Sequence, residues 1–472
     1  MRLTLLFISL VLLTPLSTRA ADLFVDHQRG NDENSGKKKS ADDKNGPFRT
    51  INRALEVCKP GDTIHLAKTD TVYHQDIEIP DGLSGTPEKP IIIDGHGATL
   101  SGCTTIRPAE WTHLGNGLYR NDRLLPDIFP RKQPVNESLL WRFFFLFNGE
   151  MVRMGRSGKG DHPPLPTPSA LKPGEWTYDD AEMAFFVRID PSRKLADERI
   201  EYPDLINGLK TSDGQSEHFV IRNLTMTHFH NDGFNINGAT RHYKFENVQA
   251  IECGDDGMSA HTASEIEVDG FVSRGNSTGF CHVQGASSIS RRVELRDNHA
   301  FDVLVSGWGT HQLSECLIRP NHGQIRVVRV SSEGAEAGKR CTLQMEKVWI
   351  DGDAIAKPNV ADQPPDPDHQ MTLEVVGSCD LTVSKTRLSS ISIVSRWPGG
   401  GVGKIKFVDS IIAGQTPPRI ELLPDTIWNA DWNRYGVTTL SISGERYEHA
   451  QWERYRKRTG QDANSTWQAV SR

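Results

Sequence analysis

Four consecutive segments of this chain repeat one short pattern every 23 or 24 residues, from His218 to His311. In each segment, alternating apolar residues lead through a turn into a second short apolar stretch, as Ile221–Leu224 leads to Asn231–Ile236. A fixed period of this length indicates stacked units, none of which can bury its apolar face alone. The period-two alternation, bounded by Gly, Asn and Asp, predicts short strands. Without helical periodicity or hairpin dipeptides, the pattern predicts an all-β fold, a parallel coil of strands known as a β-helix.

Such a coil has a direct consequence for function. Equivalent side chains on neighbouring turns lie about 4.8 Å apart along one face. We therefore expect the coil to align acidic or basic groups on an exposed face, along a chain-shaped substrate.

Residues 21–103 carry a recognisable order of short motifs. Gly46–Ile51 is followed by the helical stretch Asn52–Lys59, then by Pro60–Leu66 and by Pro90–Gly95. The helix is predicted to cap the open end of the coil, which would otherwise expose apolar core and strand edges. This order closely resembles the N-terminal cap and first rungs of the right-handed parallel β-helix superfamily, the pectin-lyase-like proteins. The resemblance implies a right-handed solenoid.

The remaining chain divides into four further parts. Residues 104–205 interrupt the period, and we interpret them as an antiparallel β insertion of the kind seen in exported bacterial β-helix proteins that act on polysaccharides. Residues 206–427 are expected to form the main parallel β-helix, and residues 428–472 a C-terminal cap with a helix at Glu445–Arg458. Residues 1–20 indicate a signal peptide, with Arg2, the apolar Leu3–Leu13 and a small-residue cleavage site.

The composition of the chain limits the classes of partner that it can bind. The formal net charge is −7, which argues against nucleic acid because phosphate binding needs a basic face. The predicted signal peptide indicates a secreted or periplasmic protein, and no segment after the leader is a candidate membrane span. We expect a monomer that acts on a polysaccharide, including an anionic one. The seven cysteines lack metal-ligand spacing, and one hypothesis is a Cys58–Cys103 disulfide near the N-terminal end.

Three aspartates are the best candidates for chemistry. The repeat register places Asp232 beneath Asp256 and Asn231 beneath Asp255. Like charges on adjacent rungs repel, so one pKa should rise in a partly dry groove. One protonated and one ionised carboxyl are what acid–base cleavage of a glycosidic bond requires.

Two other interpretations of these aspartates stay open. Asp-Gly and Asn-Gly before a strand are ordinary turn sequences, and stacked Asn and Asp also form structural ladders. Three carboxylates could instead hold Ca²⁺, which prefers oxygen ligands. We expect no cofactor for a hydrolase, whereas a lyase would use Ca²⁺ to neutralise a uronate carboxylate.

The aspartate spacing partly resembles that of polygalacturonases, which are β-helix hydrolases. Their Asn-Thr-Asp-Gly and Gly-Asp-Asp-Cys correspond to His230–Gly233 and Gly254–Gly257. The resemblance implies an acid/base set of Asp232, Asp255 and Asp256. The family's Gly-His-Gly is replaced by residues 277–279 of this chain, and no Arg-Ile-Lys follows, so a galacturonan substrate is not implied.

Other polar and aromatic residues accompany the aspartates in the repeats. His261 and His282 are candidates to polarise or deprotonate a sugar group. Candidate substrate contacts are His230, Arg274, Trp308 and His311. Structural roles are the alternative for each of them, and the spacing of the histidines lacks the pattern of a zinc helix.

Three functions fit these observations. The first is an exported glycoside hydrolase, the second a Ca²⁺-dependent lyase acting on a uronic-acid polymer, and the third a non-catalytic glycan-binding or envelope protein. Fold alone cannot rank them, because one scaffold hosts many functions.

Overall fold

The computed structural model describes residues 20–40, 44–124, 136–159, 162–321, 326–354, 370–396 and 401–470. The expected signal peptide lies outside these residues, apart from its last position. The part of the chain that the structure describes forms an all-β solenoid, as the repeats predict. It consists of two long parallel sheets that run the length of the coil.

The larger sheet has sixteen strands within the described ranges. Its strands are Asp22–Val25, Thr63–Leu66, Ile91–Ser101, Phe219–Thr227, Tyr243–Ile251, Glu265–Arg274, Ser287–Arg296, Thr310–Arg319, Cys341–Asp351, Cys379–Ser384, Arg387–Ser389, Lys404–Val408, Ile411–Ala413, Ile427–Asp431, Arg434–Tyr435 and Thr466–Trp467. We call it the large sheet.

The second sheet supplies one short strand to each rung. Its strands are Ile77–Ile79, Leu209–Thr211, Phe234–Ile236, Asp256–Ala260, Thr278–His282, Phe301–Ser306, Arg326–Ser331, Thr372–Val376, Ser392–Arg396, Ile420–Glu421, Leu440–Ile442 and Glu445–Tyr447. A separate parallel pair joins Gln215–Glu217 to Ala239–Arg241.

The long strands of the large sheet bend at a left-handed residue. On five consecutive rungs the bend lies at Asn223, Asn247, Gly270, Arg292 and Glu315, all with φ between 51° and 81°. Asn and Gly tolerate this conformation better than other residues. Each rung therefore has three straight segments, two in the large sheet and one in the second sheet.

The core is the interior of the coil. Phe234, Met258, Phe280 and Val303 lie in register on four neighbouring strands and are at most 3% exposed. Burial of such stacked apolar rows is the main favourable contribution to folding.

The predicted capping helix is present as Ile51–Val57. Thr50 caps it, since its hydroxyl accepts a hydrogen bond from the Arg53 amide. Ile51, Ala54 and Leu55 are buried against the open end of the coil.

Residues between the third and fourth strands of the large sheet form a body of two antiparallel sheets, which we call the insertion. One sheet contains Thr112–Gly115, Leu118–Asn121, Glu175–Asp179 and Ala184–Arg188, and the other contains Cys103–Thr105, Phe145–Phe147, Glu150–Val152 and Ile200–Pro203. A helix, Glu137–Arg142, and the 3₁₀ turns Pro108–Glu110, Pro168–Ala170 and Leu195–Asp197 complete it. Its core, which includes Phe143, Trp176 and Phe185, is separate from that of the coil.

The C-terminal helix is shorter than the sequence predicts. Glu445–Tyr447 is an antiparallel strand against Leu440–Ile442, so the prediction of a helix from Glu445 is wrong. A 3₁₀ turn, His449–Gln451, leads into the helix Trp452–Thr459, which ends at Gly460 with φ 68°. The buried ring of Tyr447 explains the difference, because the strand places it in the core.

All seven cysteines are free and buried, so the hypothesised Cys58–Cys103 disulfide is wrong. Within the described ranges no helix is long and apolar enough to cross a membrane.

Candidate functional site

The three aspartates meet where the chain enters the second sheet. The backbone amide of Asp256 donates to Oδ1 of Asp232 at 3.0 Å, across neighbouring rungs. One carboxylate oxygen from each of Asp232, Asp255 and Asp256 lies within 4.8 Å of the other two. We call this group the aspartate cluster. It has the rung-to-rung proximity that the repeat register predicts.

Asp232 is held mainly by the coil itself. Its Oδ2 accepts hydrogen bonds from Nδ2 of Asn235 at 2.5 Å and from the hydroxyl of Ser259 at 2.6 Å. With the Asp256 amide, these donors fix the carboxyl between two rungs. This part of the cluster therefore has the character of a structural ladder.

Asp255 and Asp256 instead contact the insertion. The ammonium of Lys159 lies 2.7 Å from Oδ1 of Asp255 and 2.5 Å from Oδ1 of Asp256. The Nε of Arg142 donates to Oδ2 of Asp255 at 2.8 Å. Gly158 lies directly on Asp255, since a Cβ there would come within 1.9 Å of Oδ1. The insertion thus closes over the cluster.

This closure corrects the expectation of an exposed acidic face. Asp232, Asp255 and Asp256 are 2%, 4% and 3% exposed. The coil alone would present them outward, but the segment of the insertion that carries Lys159 covers them. Lys159 itself keeps 22% of its side chain exposed.

The surroundings push the carboxyl pKa values apart. Burial, followed by the charge of Asp255, raises the pKa of Asp256 despite the nearby Lys159. Burial would also raise the pKa of Asp255, but Lys159 and Arg142 outweigh it and lower that pKa. Burial and Asp255 raise the pKa of Asp232. Asp255 is therefore the carboxyl that keeps its negative charge.

His230 supports the insertion and does not face a substrate. Its Nε2 lies 3.0 Å from the carbonyl oxygen of Leu139, and Phe143 packs edge-on against its ring at 6.1 Å. The side chain is 1% exposed, and burial lowers its pKa to about 4. The expected substrate contact is corrected, because the helix Glu137–Arg142 occupies that position.

His282 and His311 point into the coil. His282 lies on the same, interior side of its strand as Phe280, and both His282 and His311 are 2% exposed. Their rings stack at 5.6 Å, and Nδ1 of His311 contacts the hydroxyl of Ser288 at 3.0 Å. The catalytic role expected for His282 and the substrate role expected for His311 are therefore contradicted by the direction of their side chains.

Three other candidate site residues lie on the coil outside the aspartate cluster. His261 follows the strand Asp256–Ala260 and is half-buried; burial lowers its pKa against the opposing effect of Asp232. Trp308 follows the far end of the strand Phe301–Ser306, where the Lys339 ammonium lies over its ring. Arg274 pairs with Glu252 at 3.6 Å at the end of a large-sheet strand. Of these three, His261 interacts electrostatically with Asp232 and Asp255, whereas substrate contacts at Trp308 and Arg274 stay predictions.

Sequence reasoning missed Arg142 and Lys159. They lie 113 and 96 residues before Asp255 in the chain, in a part without periodicity. Gly158 next to Lys159 is a weak signal of close backbone approach, but nothing in the sequence connects it to the repeats.

A divalent cation fits the aspartate cluster only in part. Three convergent carboxylates are a ligand set suited to Ca²⁺. However, the Lys159 ammonium already lies between Asp255 and Asp256. Binding of the ion would require Lys159 to withdraw, and the charge of Arg142 would oppose it.

Comparisons with known proteins add information on the fold. No protein-family model matches the chain, and no curated protein sequence matches it. A solved chain described as a glycoside hydrolase has a TM-score of 0.51 at 12% identity, over 88% of this chain and 96% of that chain. XylC in complex with xylose has a TM-score of 0.41 at 10% identity, over 88% and 68%. An alginate lyase from a Paenibacillus species has a TM-score of 0.35 at 10% identity, over 80% and 94%.

The first of these similarities bears on architecture alone. At 12% identity and a TM-score of 0.51, the solved glycoside hydrolase chain shows that this overall fold has been observed before. The chain is thus similar in its fold to a solved glycoside hydrolase.

Proposed function

We propose that this protein is a carbohydrate-active enzyme that hydrolyses glycosidic bonds of a polysaccharide at the aspartate cluster. The observation that carries the proposal is the convergence of three buried carboxyls beneath Lys159 and Arg142. Pairs of carboxyls whose environments separate their pKa values are the usual acid and base of glycoside hydrolysis. The fold shared with a solved glycoside hydrolase is compatible with it.

The chemistry assigns one role to each of two aspartates. Asp256, whose pKa is raised, gives its proton to the glycosidic oxygen as the C1–O bond breaks. Asp255, which stays ionised, accepts a proton from the water that attacks C1. The proton that Asp255 has accepted then passes to Asp256 within the cluster. Both groups are thereby restored, and water is the only reactant consumed besides the glycan. Asp232 positions Asp256 through its hydrogen bond to the Asp256 amide.

Access to the aspartates requires a movement of the insertion. Gly158 and Lys159 cover Asp255 and Asp256 in the closed arrangement. We infer that a sugar unit displaces this short segment. The exposed 22% of Lys159 marks the point of entry.

The test measures cleavage of a panel of polysaccharides by following the release of reducing ends. Asp255→Asn and Asp256→Asn are each expected to lower the rate by at least about 100-fold, the usual scale for acid–base groups. Asp409→Asn is the matched control, because Asp409 is exposed in a left-handed bend that Asn also favours. Full activity in the Asp256 variant would contradict the proposal. Release of no product from any polymer by the wild-type protein would favour a non-catalytic binder.

A Ca²⁺-assisted lyase is the second candidate, and the close approach of the three carboxylate oxygens favours it. The ion would neutralise a uronate carboxylate and so acidify the C5 proton. The weak point of the lyase candidate is the base that would remove the C5 proton. Burial lowers the pKa of Lys159, but Asp255 and Asp256 outweigh it and raise that pKa strongly, which keeps the amine protonated.

The two candidates give different products. A lyase leaves a C4–C5 double bond that absorbs ultraviolet light, and its activity disappears with a chelator. A hydrolase yields saturated products and tolerates chelation. We further propose that the protein is exported, and detection of the mature chain outside the cytoplasm tests this independently.

A further inference from the structure

We infer that a groove on the outer face of the large sheet binds a neutral polysaccharide chain, separately from the aspartate cluster. The groove has a volume of about 510 Å³. Its lining comes from five consecutive rungs, from the strand Tyr243–Ile251 to the strand Cys341–Asp351. With rungs about 4.8 Å apart, it is roughly 19 Å long, parallel to the coil axis. We call it the bend groove.

The bend of the large sheet creates this groove. The left-handed residues Asn247, Gly270, Arg292 and Glu315 follow one another along it. Beside them runs a row of outward side chains in register on the same five rungs: Gln249, Val272, Glu294, Leu317 and Trp349. The groove is therefore a regular product of the repeat, shaped for an extended chain.

Trp349 closes one end of the bend groove with an aromatic face. Its side chain is 41% exposed. The guanidinium of Arg387, one rung further on, lies over one face of the indole at 5.7 Å from the ring centroid. The other face is thus directed toward Leu317 and the groove. An aromatic ring fixed in this way is a platform for the apolar face of a sugar.

The charges of the groove favour a neutral glycan over an anionic one. Arg292 pairs with Asp269, and Glu315 lies 3.6 Å from Lys347. Glu294 lies 3.6 Å from Arg296 and is also near Arg319. The lining itself carries one cation, Arg292, and two carboxylates, Glu294 and Glu315, so it does not attract a polyanion. The amide side chains of the groove, Asn247 and Gln249, and the paired charges offer hydrogen bonds to hydroxyl groups.

The experiment measures binding, by affinity electrophoresis in gels that contain neutral polymers (xylan, mannan or mixed-linkage glucan) or anionic ones (polygalacturonate or alginate). Trp349→Ala is expected to weaken binding of a neutral polymer at least tenfold, and Trp349→Phe to restore most of it. Trp432→Ala is the matched control, since Trp432 is 65% exposed and lies three rungs further along the same bend, outside the groove lining. It should bind like the wild-type protein.

The inference depends on the proposed function only for the class of ligand. Asp256→Asn should abolish cleavage and keep binding of the neutral polymer, because Asp256 lies outside the groove lining. Unchanged binding in Trp349→Ala would overturn the inference, as would binding confined to anionic polymers or no binding to any neutral polymer. Loss of binding in Asp256→Asn would place the glycan at the cluster and overturn it as well.

Discussion

Lys159 of the insertion contacts Asp256 of the coil, with its Nζ 2.5 Å from Oδ1 of the carboxyl. The same ammonium contacts Asp255 at 2.7 Å. Two carboxyls from adjacent positions of one rung thus share a single cation that comes from a distant part of the chain. This arrangement lets the insertion control both the charge of the cluster and access to it.

Removal of this cation should destabilise the protein. Lys159→Met leaves Asp255 buried with Arg142 as its remaining partner, and breaking a buried ion pair costs about 3 kcal/mol in the free energy of unfolding. Urea denaturation at pH 7 measures the change. Lys385→Met is the control, because Lys385 forms an exposed pair with Glu346, and little change is expected there. The loss at Lys159 should shrink as the pH falls from about 4 toward 2, because Lys159 and Arg142 lower the pKa of Asp255 to about 2 in the folded wild-type protein.

Substitutions of Asp255 and Asp256 should differ in their effect on the stability of the protein, although both residues are needed for cleavage. Asn imitates a protonated carboxyl, so Asp256→Asn should leave the free energy of unfolding nearly unchanged. Asp255→Asn removes the charge that Arg142 and Lys159 both contact, and it should cost about 3 kcal/mol. Equal effects of the two substitutions would show that Asp255 does not carry the charge of the cluster.

Buried histidines should make the protein sensitive to acid. Burial lowers the pKa of His311 to about 3, whereas the unfolded chain binds that proton near pH 6.5. Because the unfolded state then holds more protons, stability is complete above pH 6.5 and falls as the pH drops from there toward 3.

His311→Leu tests this directly. The variant loses the contact to Ser288, so it should be less stable at pH 8. Its stability should nevertheless fall less steeply with acid, by up to about 1.4 kcal/mol per pH unit. Thermal unfolding from pH 8 to pH 4 supplies the comparison, and parallel curves for both proteins would contradict the assignment.

Arg153 should hold the insertion on the coil. Its guanidinium is 7% exposed and donates to the carbonyl oxygens of Gly254 at 3.0 Å and Gly275 at 2.9 Å, and also to that of Cys253. Arg153→Met removes these charge-assisted bonds, at a cost of about 3 kcal/mol or more.

Hydrogen exchange of the backbone amides in the insertion measures how firmly the insertion is held on the coil. We expect faster exchange in the helix Glu137–Arg142 of the Arg153 variant. Arg156→Met is the control, since Arg156 donates to Pro163 within the insertion. Faster exchange in both variants alike would mean that the insertion loosens internally and does not undock.

The period of the sequence determined the coil and the proximity of Asp232 to Asp256, because in-register stacking follows from the repeat itself. The order of motifs in residues 21–103 predicted the capping helix. The direction of side chains was harder to predict. His282 lies level with Ala260, as the register predicts, but Ala260 belongs to the core, and in-register neighbours share a face, so the side chain of His282 points into the coil and not toward a substrate.

Only the tertiary structure decided whether the acidic groups are open to water. The sequence by itself determined the rung that carries Asp255, whereas Arg142 and Lys159 reach it from about one hundred residues away. No local pattern encodes such a contact. It arises because the insertion buries its own core and thereby fixes the loop that covers the coil, and with it the charge and the access of the candidate site.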